Sequence, residues 1–341
     1  MIRQFAGVLC LILCGTATAA WAAEDFYKGK QITIVASSAG TYEAYARSLA
    51  KYLPKHIPGT PSVITQIMPG ASGLTAANFL YNNAPRDGTF FAVTHGHIPT
   101  LPLLNPQGTR FDPTKFSWVG SVTKDVFVGY VWHASPIKTL AETRTQELVV
   151  GGQAAGSMSI DMAILAKEML GLKFRIITGY GGSGETKLAL EKGELSGHFG
   201  TAWSSLKREN SDWLQDKKVR IITQFGFKPH PELRDVPLFV NEAKNDADHK
   251  ALELMLARQE TAKPFYGTPE IPADRLAIIR IAFDKTMTDP EYLAEMEKLG
   301  LDVEQPMGWK DTSELVARLQ ETPPDVVKRL LSAFDRFREA R

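Results

Sequence analysis

Cysteine is nearly absent from this chain of 341 residues, and the two that occur, Cys10 and Cys14, both fall within the first 23. Residues 1–23 hold one early base, Arg3, an apolar run over 8–13, and small residues ending in Ala20, Trp21, Ala22 and Ala23. That layout is expected of a secretory signal peptide cleaved near Ala22 or Ala23. Its apolar core is too short for a membrane span, and the Ala-x-Ala pattern suits a signal peptidase. Lipid attachment at Cys14 is the rival, disfavoured because bulky Leu13 stands where a small residue is wanted. Cleavage would leave an exported chain without thiols, which excludes disulfides and a thiol nucleophile.

An excess of either charge is also lacking. Lys and Arg number 39 against 38 Asp and Glu, and loss of Arg3 with the leader would leave 38 against 38. Such balance argues against nucleic acid or an anionic membrane held by bulk charge. No later apolar run approaches membrane length. The expectation is a monomer working in solution outside the cytoplasm, in a bacterial periplasm.

Catalytic signatures are scarce too. There is no G-x-S-x-G elbow: Gly181-Gly182-Ser183-Gly184 continues with Glu185, and Gly70-Ala71-Ser72-Gly73 continues with Leu74. His95 and His97 have no H-E-x-x-H pattern or acidic cluster nearby, so a hydrogen-bonding or structural role is expected rather than a metal. The loop from Gly179 to Gly184 does satisfy G-x-G-x-x-G. A dinucleotide is nonetheless disfavoured, because the pattern lies mid-chain and an exported protein meets little NAD.

What is present centres on residues 31–53. Ile32, Ile34 and Val35 form a short β-branched run that stops at Ala36-Ser37-Ser38-Ala39-Gly40. Tyr42, Tyr45, Ala46, Leu49 and Leu53 then recur at helical spacing, with Glu43, Arg47 and Lys51 opposite. The spacing predicts a helix from about Thr41, with Thr41 as N-cap. The unpaired N–H groups at that helix start, joined by Ser37, Ser38 and the loop amides, would favour an anion.

About 318 residues after the leader suggest two domains. Strand-like runs at 32–35, 62–67, 89–93, 127–132, 147–150, 174–177 and 219–223 alternate with helical runs at 42–53, 72–81, 160–170 and 186–192. That alternation implies α/β architecture with parallel sheets, whose ligands sit beyond the carboxyl ends of the strands. The loops there are rich in small and hydroxylated residues. Ser157 or Ser159 can cap a helix with Asp161 in its first turn, and a second such loop runs from Thr178 to Lys187. Near the end of the chain Pro272, Pro290 and Pro324 each open an amphipathic helix, the last carrying Val327, Leu330, Leu331, Phe334 and Phe337. These helices are expected to pack on the first domain.

In their order along residues 26–301, several segments resemble the periplasmic substrate-binding proteins of tripartite tricarboxylate transporters, the Bug receptors. They are the run from Phe26 to Ile34, Tyr45-Ala46-Arg47, Met68-Pro69-Gly70-Ala71, the run from Ala84 to Thr89, Trp118-Val119-Gly120-Ser121 and Leu233-Arg234-Asp235-Val236-Pro237. The resemblance implies a two-lobed Venus-flytrap fold crossed twice by the chain, each lobe a mostly parallel sheet flanked by helices. Lobe 1 would hold residues 24–124 and 256–341, and lobe 2 residues 125–255. It further implies a small organic carboxylate held in the cleft, delivery to membrane permease subunits, no cofactor and no catalysis.

Carried over by position, the first binding loop would be Ser37, Ser38, Ala39, Gly40, Thr41 and Tyr42, joined by His95 and His97. The second lobe would contribute Ser157 and Ser159 from Gly156-Ser157-Met158-Ser159, then Tyr180, Gly181 and Gly182, then Thr201 and Trp203. Two departures stand out. Ala39 and Thr41 replace part of a glycine run, narrowing the backbone choices there, and Trp203 offers an aromatic wall, hinting at a ring-bearing or apolar-bodied acid. The alternatives are an exported hydrolase using His95, His97 or His198, and a sensor for a membrane signalling partner.

Overall fold

The structure, a computed structural model, describes residues 26–153 and 157–340; the expected signal peptide and Gly156 lie outside the described residues. The chain divides into two compact units. Along the first, β1 (Gln31–Ala36) runs into α1 (Thr41–Tyr52), followed by β2 (Ser62–Ile67), α2 (Leu74–Asn82), β3 (Phe90–Val93) and β4 (Ser117–Ser121). The period of two along β1 decides which side each residue serves. Ile32, Ile34 and Ala36 join Tyr45, Ala46 and Leu49 of α1 in one apolar cluster, while Val35 points to the opposite face, among Leu74, Leu80 and Trp118. All of these are buried, and each large apolar side chain so removed from water contributes about 1.5–3 kcal/mol.

The second unit begins at Asp125. It comprises β5 (Phe127–Trp132), β6 (Leu148–Gly152), α3 (Met158–Glu168), β7 (Phe174–Thr178), α4 (Ser183–Glu191), β8 (Gly197–Ala202), α5 (Trp203–Glu209), β9 (Val219–Phe225) and α6 (Asp246–Glu260). From Thr261 the chain rejoins the first unit through β10 (Pro264–Gly267), α7 (Ala273–Thr286), α8 (Pro290–Lys298), β11 (Met307–Gly308) and most of α9 (Trp309–Gln320). Finally α10 (Pro324–Glu339) belongs to the second unit.

Both sheets are mixed rather than mostly parallel. The six-stranded sheet has the order β11-β4-β10-β3-β1-β2, with parallel pairing only among β3, β1 and β2. The returning strand β10 inserts antiparallel between β3 and β4, burying Phe265 and Tyr266 completely. In the five-stranded sheet, β7-β6-β8-β5-β9, β6 is parallel to β7 and β8, while β5 is antiparallel to β8 and β9.

The expected domain limits change in two places. The second unit extends to Glu260 because α6 is continuous and Gln259 is tied to the strand that opens the unit. The Gln259 carbonyl accepts the Asp125 N–H at 3.0 Å, and its side-chain oxygen accepts the Phe127 N–H at 3.3 Å. The terminal helix also differs from expectation: α10 packs on α3 and α6 of the second unit. Phe337 joins Ile160 and Ile164 in a cluster, and Arg329 pairs with the buried carboxylate of Asp248. The chain thus has three unit boundaries, the third inside α9, where the resemblance implied two crossings.

Candidate ligand site

In the first unit the carboxyl ends of the parallel strands β2, β1 and β3 bring three loops together. Ser37, just past β1, and His95, just past β3, meet with Oγ and Nδ1 3.1 Å apart. Gly73, in the loop after β2, closes the third side: a Cβ there would lie 3.2 Å from both His95 Nδ1 and Ser37 Cβ. Tyr42, in the first turn of α1, lays its ring on His95 with centroids 4.0 Å apart, and the His97 ring follows at 5.5 Å. Buried Lys263 places its ammonium 5.1 Å from the Tyr42 ring centre and 5.6 Å from that of Tyr45.

The electrostatics follow from this packing. Burial, with the positive charge of Lys263 adding to it, holds the His95 imidazole down at about 4. The ring is therefore neutral near pH 7. The neutral pair keeps one hydrogen free of its internal bond in either tautomer: Nε2–H when the Ser37 hydroxyl donates to Nδ1, or the Ser37 hydroxyl when Nδ1–H donates to it. The helix start beside it differs from expectation. Gly40, at φ +79°, is the N-cap of α1, no side chain caps the helix, and Thr41 is its first residue. Ala39, Gly40 and Thr41 are exposed and Ser38 half-buried. The positive φ required at residue 40 explains a glycine in that position.

The second unit holds a cavity of about 330 Å³ whose wall includes Ser157, Ser159, Gly182, His198 and Thr201. Here too a histidine is bonded to a hydroxyl, with His198 Nδ1 2.9 Å from Thr201 Oγ1. Its ring stacks on Tyr130 at 5.8 Å and 22°. Burial, reinforced by the charge of Lys187, lowers His198 to about 4, and burial pushes the Tyr130 phenol up to about 12. Ser157 is the N-cap residue of α3, although its hydroxyl does not cap the helix. Ser157 and Ser159 instead lie with their oxygens 3.3 Å apart.

Three residues carried over from the resemblance make contacts within the chain. The Gly181 N–H donates to the Glu185 carboxylate at 2.7 Å, so the chain's own acid occupies that amide. Tyr180 packs against the apolar core, covering Gly151. Trp203 is buried, its Nε1–H donating to Glu232 at 2.6 Å beneath the Lys207 ammonium, which pairs with the same carboxylate at 2.7 Å. It does not line the cavity; the aromatic wall there is Phe127 and Tyr130. Local sequence offered no sign of either, because both lie inside a strand. Lys263 and Gly73 reach their partners only through long-range pairing. An ion pair was also unforeseen, buried Asp161 in the first turn of α3 lying 3.4 Å from half-buried Arg258 of α6.

Solved structures share this architecture. A TctC solute-binding protein from Polaromonas gives a TM-score of 0.68 at 17% identity, over 90% of this chain and 99% of its own. The fold is that of periplasmic solute-binding proteins. An R. palustris protein solved with adipate gives 0.59 at 21% identity, over 88% and 97% of the two chains. MatC from Rhodopseudomonas palustris, with bound malate, gives 0.58 at 20% identity, over 87% and 99%. No protein-family model and no curated protein matches the sequence. Among the described residues, no helix is long and apolar enough to cross a membrane, and no group of three or more His, Cys, Asp or Glu comes together to hold a metal.

Proposed function

We propose that this protein is a periplasmic receptor that captures a small organic carboxylate and delivers it to membrane permease subunits of the tripartite tricarboxylate type. The observation that carries this reading is the Ser37–His95–Tyr42 cluster. It sets a neutral Ser–His pair, with one hydrogen beyond its internal bond, at the carboxyl ends of parallel strands, beside a helix start that no side chain caps. Hydrogen bonds to a charged group contribute roughly 1.5–3 kcal/mol each and a helix N-terminus about 0.3–1 kcal/mol. A few such donors, less desolvation and ordering costs, suffice for the roughly 8 kcal/mol of micromolar binding. The shared fold with proteins solved with adipate and malate supports the same class of ligand.

Hydrolysis through the Ser37–His95 pair fits less well. A histidine acting as base must become imidazolium, and here that cation would form beside Lys263 with burial already opposing it. Among the described residues no carboxylate bonds His95. Native mass spectrometry of the exported protein as purified tests the proposal. A bound species with the mass of an organic acid, displaced by added carboxylate, is expected. Turnover of carboxylic esters, abolished by His95→Gln, would overturn it.

A further inference from the structure

Lys263 stands just before β10 and is rooted there by its own backbone. Its carbonyl accepts the Val122 N–H at 3.0 Å, and its N–H donates to the Ser121 hydroxyl at 3.3 Å. Because β10 runs antiparallel to β3, pairing Phe265 with Val93, and the Thr94 N–H donates to the Pro264 carbonyl at 3.3 Å, Lys263 comes level with His95. The residue is only 7% exposed. Lysine is seldom so buried, because its ammonium gives up water on entry. The rings of Tyr42 and Tyr45, 5.1 and 5.6 Å from Nζ, offset part of that cost.

Tyr42 also lies on the His95 ring at 4.0 Å, which joins the ammonium to the Ser37–His95 pair in one contiguous group. The charge acting on the His95 imidazole is that of Lys263, and it opposes a second proton there. A field that resists a proton at this pair favours an anion beside it and repels an ammonium, with little screening where water is excluded. The acid in the first turn of α1 is already engaged, since Arg47 reaches Glu43 with Nε at 2.7 Å and a terminal nitrogen at 2.6 Å. A 2-amino acid would set its ammonium in this field, one carbon from the carboxylate. The 2-hydroxy acid of the same skeleton puts a neutral donor and acceptor there.

We propose that Lys263 selects ligand charge at the first-unit cluster, so that the receptor takes carboxylates with no ammonium group and prefers a 2-hydroxy acid to the 2-amino acid of the same skeleton. The inference rests on the receptor reading and names the ligand class within it. Calorimetric titration of the exported protein tests it, with L-malate, L-lactate and L-2-hydroxyglutarate set pair by pair against L-aspartate, L-alanine and L-glutamate.

At least one hydroxy acid is expected to bind about ten times more tightly than its amino partner. Lys263→Met, or Lys263→Gln should the first variant fold poorly, is expected to cut that ratio at least fivefold, and Lys263→Arg to keep it. A lysine that only supports the fold would lower both affinities together and leave the ratio unmoved. Such an unmoved ratio overturns the inference and leaves the receptor reading standing, as does an amino acid bound as tightly as its hydroxy partner. Binding of no member of either series also overturns the inference, and the mass spectrum of the purified protein then decides the receptor reading separately.

Discussion

His95 and His198 are built alike: each is bonded through Nδ1 to a hydroxyl, packed on a tyrosine, and lowered to about 4 by burial with a lysine nearby. An unfolded imidazole titrates near 6.5, so between about pH 6.5 and pH 4 the unfolded chain binds these protons and the folded chain does not. Stability is therefore fully present above pH 6.5 and falls as the pH drops toward 4, by up to about 1.4 kcal/mol per pH unit for each histidine. Urea unfolding at pH 7 and pH 5 should show a larger loss for the natural protein than for a His198→Gln variant. Equal losses would contradict the assignment. Because both rings are neutral at physiological pH, carboxylate affinity should stay flat between pH 8 and pH 6; a rise across that range would point to a histidine that is charged.

Gly73 offers a sharper test of the first-unit cluster, because it combines φ +93° with two contacts at 3.2 Å for any added Cβ. Gly73→Ala should weaken carboxylate binding by about tenfold with the circular dichroism spectrum unchanged, as expected for roughly 1.4 kcal/mol lost at the site. At this scale the sequence named Ser37, Tyr42, His95, Ser157, Ser159 and Thr201 among its candidates, and the structure places each beside its unit's histidine or in its cavity. It also named Trp203, which is outside that cavity's wall, because an aromatic residue at a strand end looks the same whether it faces a ligand or, as here, bonds a neighbouring turn. Its hydrogen bond to Glu232 spans 29 positions and has no local signature.

Among the elements, the loop after β2 is the most constrained. Gly70, Ala71, Ser72 and Gly73 all have positive φ, with Ala71 at +44° and Ser72 at +52°. For a residue bearing a Cβ the left-handed region costs roughly 1–2 kcal/mol. Ser72→Gly should therefore relieve strain and raise the urea midpoint by the equivalent of about 1 kcal/mol; an unchanged or lower midpoint would show that the hydroxyl or the stiffer chain matters more. Helices and parallel strands were legible here because their periods of 3.6 and two are local properties. The antiparallel insertion of β10 and the docking of α10 on the second unit were not. The Leu330 and Phe337 stripe shows that α10 packs on something, but not on which unit. The deciding contacts, Arg329 to Asp248 and Phe337 to Ile164, lie 81 and 173 positions apart in the chain.

For the molecule as a whole, composition and charge balance excluded more than they chose, and the fold narrowed the field to solute-binding architecture without specifying a ligand. The account depends on capture of an organic acid by the folded protein, and thermal unfolding during titration with mono-, di- and tricarboxylates measures that directly. At a free concentration one hundred times its dissociation constant, the right acid should stabilise the protein by about 2.7 kcal/mol, with the shift reduced in Gly73→Ala. A midpoint that no carboxylate moves, in protein shown to be folded and free of copurified ligand, would contradict the account.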